Sequence, residues 1–241
     1  MGLQFTVDSW AALATGLSTQ HEWLEWLRDP QPLARDFSPE LAWMPAGLRR
    51  RVSPLGRAAL NVLASCQTAD AAPVVFASRY GDLDGIAGLL AQLDQEGVLS
   101  PMGFSLSVHN AAMGVHSIAR KDRTTTTCIA VNEDLAEAAC FEALGWLGAG
   151  TGPVLMVCCA DPVPPPYEPT RGAETYRYAW ACRLRAVRSG GLSLSPANGR
   201  EKLHSLNPTT PPSLQALSFL VGVHPGDLRS DSGRYLWRRH V

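Results

Sequence analysis

Apolar and polar positions along this chain fall into blocks whose period changes, and the changes mark out its elements. Residues 3–7, LQFTV, alternate as a strand does, and residues 10–17 mix apolar with small side chains in a way that predicts a short helix or turn. Trp23, Leu24, Trp26 and Leu27 cluster at helical spacing, and Asp29 with Pro30 ends that run. Residues 30–54 are irregular. Residues 55–64 then read as a helix, with Pro54 at its start, where a missing N–H costs nothing. PVVFAS, residues 73–78, is a continuous apolar run of strand length. Gly81 and Asp82 mark the turn into a helix over about 83–95, with Asp82 placed to cap it.

Residues 104–119, FSLSVHNAAMGVHSIA, stand apart. They open on an extended-looking segment, 104–108, and pass into a run where Ala111, Ala112, Gly114 and Ser117 recur at helical spacing with no charge before Arg120. A helix of that kind is expected to bury nearly all of its circumference and to let another backbone come close; on periodicity alone it is also an ordinary core helix. A strand at 124–131, a helix over about 133–147 and a strand at 154–159 follow. Strand and helix alternating at this spacing predict a parallel sheet covered on both faces. Beyond it come a Pro-rich loop at 162–169 and a strand at 178–187, read as the sheet's last. A stretch at 189–212 rich in Gly, Ser, Asn and Pro is expected to be a mobile loop. A short apolar helix at 214–221 and a tail that alternates like an edge strand or anchored terminus close the chain.

The 241 residues suit one large domain, 1–241, with a sizeable core. With 21 Lys and Arg against 22 Asp and Glu, no broad field favours nucleic acid or an anionic membrane. Arg49, Arg50 and Arg51 form the one concentrated basic patch, which reads either as a solvated loop end or as a dock for an acidic carrier protein. No run of 18 apolar residues occurs, and the start lacks a signal-peptide pattern, so a cytoplasmic protein is expected. Met1, Gly2 and Thr6 satisfy a short myristoylation pattern that a strand beginning at Leu3 would bury. The six cysteines show no CxxC spacing, which favours reduced, buried thiols over disulfides or a metal site. Gly148, Gly150 and Gly152 follow a helix and precede a strand, the reverse of a phosphate loop, and read as a helix end and turn. No cofactor is implied.

The words SVHNAAMGVHSIA (107–119), VVFASRYGDLDGIAGLL (74–90), CIAVNEDLAEAACFEALGWL (128–147) and PVLMVCCAD (153–161) resemble β-ketoacyl synthases. They look most like stand-alone proteins related only to the N-terminal half of those enzymes. The resemblance implies an α/β, three-layer half-thiolase-like domain with a mixed, mainly parallel sheet. A ketosynthase needs a cysteine at a helix start and two histidines from its second half. Here the resemblance sets Glu133 at the nucleophile position, or Asn132 if the register is off by one, and both also suit plain helix capping. Cys128 falls inside the preceding strand and Cys140 two helical turns later, and no HGTGT-like stretch is present.

An inactive half is therefore implied, acting as a chain-length factor beside a full-length β-ketoacyl synthase in aryl polyene or fatty-acid-like biosynthesis. It would form part of a β-ketoacyl-[acyl carrier protein] synthase complex, with the acyl carrier protein as a further partner at the arginine triplet. The resemblance places Val108, Asn110, Met113, His116, Thr125, Thr127 and Ile129 at the partner and acyl-tunnel interface. Two other classes stay open: a homodimeric scaffold or binding protein, and a small hydrolase using Ser105, Ser107 and His109.

Overall fold

A computed structural model describes residues 3–35, 37–165, 167, 175–197 and 210–240. The first strand, β1 (Gln4–Ala14), is longer than its sequence suggests. Residues 10–14, expected as helix or turn, continue it because they pair with β5 (Tyr178–Val187) from Trp10↔Cys182 to Ala14↔Tyr178. Long-range pairing overrides a weak local pattern here. A tight turn through Gly16, at φ 74, then leads into α1 (Gln20–Arg28), opened by a Thr19/Glu22 capping box. The short α2 (Ala46–Arg49) and α3 (Pro54–Cys66) follow, with Ser53 capping α3 and Pro54 in its first turn.

The expected alternation holds through β2 (Val74–Ser78), α4 (Leu83–Glu96), β3 (Thr126–Ile129), α7 (Leu135–Gly148) and β4 (Val154–Ala160). Asp82 caps α4 by accepting from Gly85 N at 3.2 Å. Between α4 and β3 the reading needs correction. Residues 104–107 are helical and only Val108 is extended: Ser100 caps a second helix, α5 (Pro101–Ser107), which starts on proline, a strong local signal that the apolar pattern masked. The central helix is α6 (Ala111–Arg120), and it buries only Met113, Val115 and His116. Its small residues do admit a neighbour: a Cβ on Gly56 of α3 would lie 3.1 Å from Ala112 Cβ.

Strands β6 (Leu192–Pro196), β7 (Leu228–Arg229) and β8 (Tyr235–Arg239) complete one sheet in the order β3-β2-β4-β5-β1-β6-β8-β7. The sheet is mixed, as expected, but not mainly parallel: β2 runs parallel to β3 and β4, and the other five adjacent pairs are antiparallel. β5 is central, not last. The expected mobile loop at 189–212 contains β6 and the start of α8 (Pro212–Leu220); residues 198–209 lie outside the described residues, as do Met1, Gly2 and, within the Pro-rich loop, 166, 168 and 169.

Helices cover both faces, making three layers. On one face α1, α7 and α8 pack on Tyr178, Trp180, Cys182 and Leu184; on the other α3 and α6 pack on Ala179 and Ala181, so successive β5 residues serve opposite cores. β3 lies at one edge of the sheet, and the β7–β8 hairpin at the other end curls round to meet the start of α7.

Candidate functional site

The start of α7 is where three loops converge. Arg79 after β2, residues 130–134 after β3, and Arg234 with Tyr235 from the β7–β8 hairpin line a cavity of about 640 Å³. The residue at the helix start is Asp134, in left-handed backbone at φ 56 and ψ 43. Among non-glycine residues Asp tolerates that conformation comparatively well. This turn, rather than Glu133 or Asn132, is the strained corner of the site. Asp134 is buried, and its carboxylate accepts from Ser232 Oγ at 2.5 Å, Arg234 Nε at 3.0 Å and Arg234 Nη2 at 2.9 Å. Glu133 is exposed and accepts from the same Arg234 Nη2 at 3.1 Å, while Asn132 is exposed. The positive end of the helix dipole and the guanidinium both favour negative charge at this place. The arrangement therefore holds a fixed carboxylate at the start of α7.

One helical turn on, Glu137 is buried and accepts from Trp237 Nε1 of β8 at 2.8 Å. Burial pushes its carboxyl up to about 7, against the opposing pull of the Trp237 hydrogen bond. Sequence spacing shows Glu137 on α7, but its partner lies 100 residues away and no local signal links them. The cysteines offer no alternative nucleophile. Cys140 lies fully inside the core and burial raises its thiol well above the ordinary range; burial raises Cys128 too. All six cysteines are free.

Of the seven residues expected at a partner interface, five reach the surface and two are buried. Val108, Asn110 and Thr125 are exposed, and Thr127 and Ile129 on edge strand β3 are half-buried. Thr127 Oγ1 donates to Glu142 of α7 at 3.1 Å, and Ile129 packs on the α7 core. Met113 and His116 point inward, into the chain's own core. Met113 belongs to the α3 core, and His116 meets the edge of Trp43 at 5.9 Å between ring centres. Burial and the nearby Arg120 lower the His116 pKa. In the arginine triplet, Arg50 and Arg51 are exposed and Arg49 is half-buried at the end of α2.

Ser105, Ser107 and His109 do not form a catalytic set. Ser105 donates to Pro101 O, Ser107 donates to Phe104 O, and His109 Nε2 lies 2.9 Å from Ser78 O. Among the described residues no group of three His, Cys, Asp or Glu side chains is placed to hold a metal ion. No helix among them is long and apolar enough to cross a membrane.

A mixed sheet between two helical layers, with a helix opening on the corner that follows β3, is the half-thiolase arrangement of ketosynthase-type proteins. The chain belongs to the β-ketoacyl synthase N-terminal domain family, which it matches over residues 23–238. It is similar in structure to a chain of the ketosynthase ApeO in complex with its chain length factor ApeC from Xenorhabdus doucetiae. That match has a TM-score of 0.79 and 27% identity, over 98% of this chain and 100% of the other. It is similar in fold to the ishigamide ketosynthase/chain length factor, with TM-score 0.57 and 14% identity over 80% of this chain and 67% of the other. A third similar fold is in AntDE:AntF, a type II polyketide synthase acyl carrier protein in complex with its ketosynthase, with TM-score 0.61 and 11% identity over 82% and 70%. No curated protein sequence matches the chain.

Proposed function

We propose that this chain is a non-catalytic, chain-length-factor-type subunit that pairs with a full-length β-ketoacyl synthase in the cytoplasm and shapes the chamber in which a fatty-acid-like or aryl polyene chain grows. The observation that carries this reading is the start of α7. Glu133, at the expected nucleophile position, and its neighbour Asp134, held by Ser232 and Arg234, put carboxylates and no thiol at that helix start. The likeness to a ketosynthase and chain length factor complex over nearly the whole of both chains supports the pairing. Edge strand β3, pairing only with β2 among the described strands, supports a partner strand at that side. Free cysteines suit a reducing compartment.

The acyl carrier protein is part of the same reading, with Arg50 and Arg51 as its exposed cations. The test is to purify the tagged chain from its source cells and identify what comes with it. A full-length ketosynthase at a stoichiometric level is the expected result. Recovery of a homodimer alone would instead favour a scaffold, and acyl transfer onto the isolated chain would overturn the non-catalytic assignment.

A further inference from the structure

Eight large hydrophobic residues are exposed among the described residues, and seven of them fall between Leu90 and Ile118. Five, Leu90, Leu93, Val98, Met102 and Phe104, lie on one helical hairpin made of α4, α5 and the turn between them, each between 43% and 67% exposed. α4 is 14 residues long and has no buried residue; it packs chiefly against α5, where Gly103 lets Leu89 approach to 3.2 Å of a would-be Cβ. Leu106 and Ser107 at the end of α5 tie the hairpin to the body. At its other end Arg177 Nη2 reaches Asp84, in the first turn of α4, at 3.6 Å. Arg177 is itself buried and fixed by donating to Asp161 and to the Phe37 carbonyl.

An exposed apolar surface of this kind is as large as the largest that a monomer ordinarily leaves in water, and such patches are often functional. The five on the hairpin expose on the order of 500 Å² together, a large part of the ~800 Å² that one partner contributes to a standard interface. We propose that the α4–α5 hairpin is a projecting arm that lies on the partner ketosynthase, and that the Arg177–Asp84 ion pair fixes its angle. The inference rests on the proposed pairing and adds where the partner is gripped. The arm buries its apolar face only in the complex, so its free energy is available for association rather than for the chain's own fold.

The ketosynthase that copurifies with the wild-type chain serves as the probe, and its affinity is measured for Phe104→Asp, Leu93→Asp and Asp84→Asn. All three positions are exposed, so melting of the isolated chain is expected to stay unchanged. The two apolar-to-acid changes are expected to weaken binding at least about tenfold, as for central interface residues. Asp84→Asn should weaken it by a smaller factor and speed amide exchange in α4. Tyr167→Ser, at the one exposed large hydrophobic outside this stretch, should leave binding unchanged. Undiminished binding by Phe104→Asp and Leu93→Asp overturns the arm while leaving the pairing intact. A wild-type chain that binds no ketosynthase, whether monomeric or self-associated through these residues, overturns both.

Discussion

Glu137 makes the stability of this chain depend on pH in a direction opposite to that of a paired surface carboxylate. Its carboxyl sits inside the α7 core and is pushed from an ordinary 4.5 to about 7. Between those two values the unfolded chain has already released the proton that the folded chain still holds, so stability falls as pH rises. The cost is absent below about 4.5 and complete above about 7. At about 1.4 kcal/mol for each tenfold change in proton affinity, it amounts to about 3 kcal/mol. Trp237 donates to Oε1, an acceptor that a glutamine also offers. Glu137→Gln should therefore keep the hydrogen bond and remove the cost.

The assay is urea unfolding of wild type and Glu137→Gln from pH 4.5 to 8.5. The difference between the two proteins is the quantity to read, because Asp161 and Asp82 are also raised by burial and slope the wild-type curve at lower pH. The two should be nearly equal in stability at pH 4.5. The variant should be more stable by about 3 kcal/mol at pH 8, a large share of what a domain this size possesses. A difference that does not change with pH, or a variant weaker at pH 8, would refute the assignment of a buried, protonated Glu137.

Three further outcomes follow from particular contacts. Val74 N donates to Thr125 O and Thr126 stands opposite Val74, so the N–H of Thr126 points away from β2; Thr126→Pro should leave the chain folded and weaken ketosynthase copurification. Arg177→Met leaves buried Asp161 without its cation and should cost about 3–5 kcal/mol near neutral pH, with a smaller loss at pH 5, where an Asp161 raised to about 6 is largely protonated. Arg50→Glu with Arg51→Glu should weaken acyl carrier binding several-fold at low salt and little at about 0.5 M salt, read by titration with the carrier.

What the sequence made legible is the part of the fold written in short range. Asp82 before a Gly-containing apolar run, Pro54 after Ser53, and the apolar runs of β2 and β4 each specify their element locally, and each element is found there. Residues 10–14 were misread because Ala11, Ala12 and Ala14 carry little strand preference of their own, and the register with β5 decides them. That Met113 and His116 face the chain's own core was not legible for a different reason. α6 has no charge on either face before Arg120, so periodicity shows that two faces exist without showing which one meets α3. The site at α7 was half legible. The run Asn132-Glu133-Asp134 announces a helix start, but Ser232, Arg234 and Trp237 come from about 100 residues downstream. The sequence points to Glu133 and Asn132 at this turn and not to Asp134, whose left-handed backbone emerges only in the structure.

On the proposed reading, that corner also allows the missing condensation chemistry to be divided into parts. A thiol placed there would find two of the features that activate a nucleophile: the N-terminal end of a 14-residue helix and, beside it, the Arg234 guanidinium. Asp134→Cys should therefore give a thiol alkylated by iodoacetamide near neutral pH much faster than the wild-type cysteines, which are raised by burial wherever a shift is resolved. The substitution exchanges a residue suited to φ 56 for one that is not, at a cost of about 1–2 kcal/mol, and removes the buried acceptor of Ser232 and Arg234 besides, so melting should fall. Alkylation is only half the chemistry. Condensation also requires groups that handle the proton and carboxylate of the extender, and the described histidines on and beside the sheet have other partners: His109 the Ser78 carbonyl, His116 the core, His224 the Gly226 carbonyl and His240 Ser193. Asp134→Cys, and Glu133→Cys beside it, should thus gain reactivity toward alkylating agents without forming a β-ketoacyl product from acyl and malonyl carriers. Product formation by either variant in the absence of a ketosynthase would refute the division, because it would locate the decarboxylating groups within this chain.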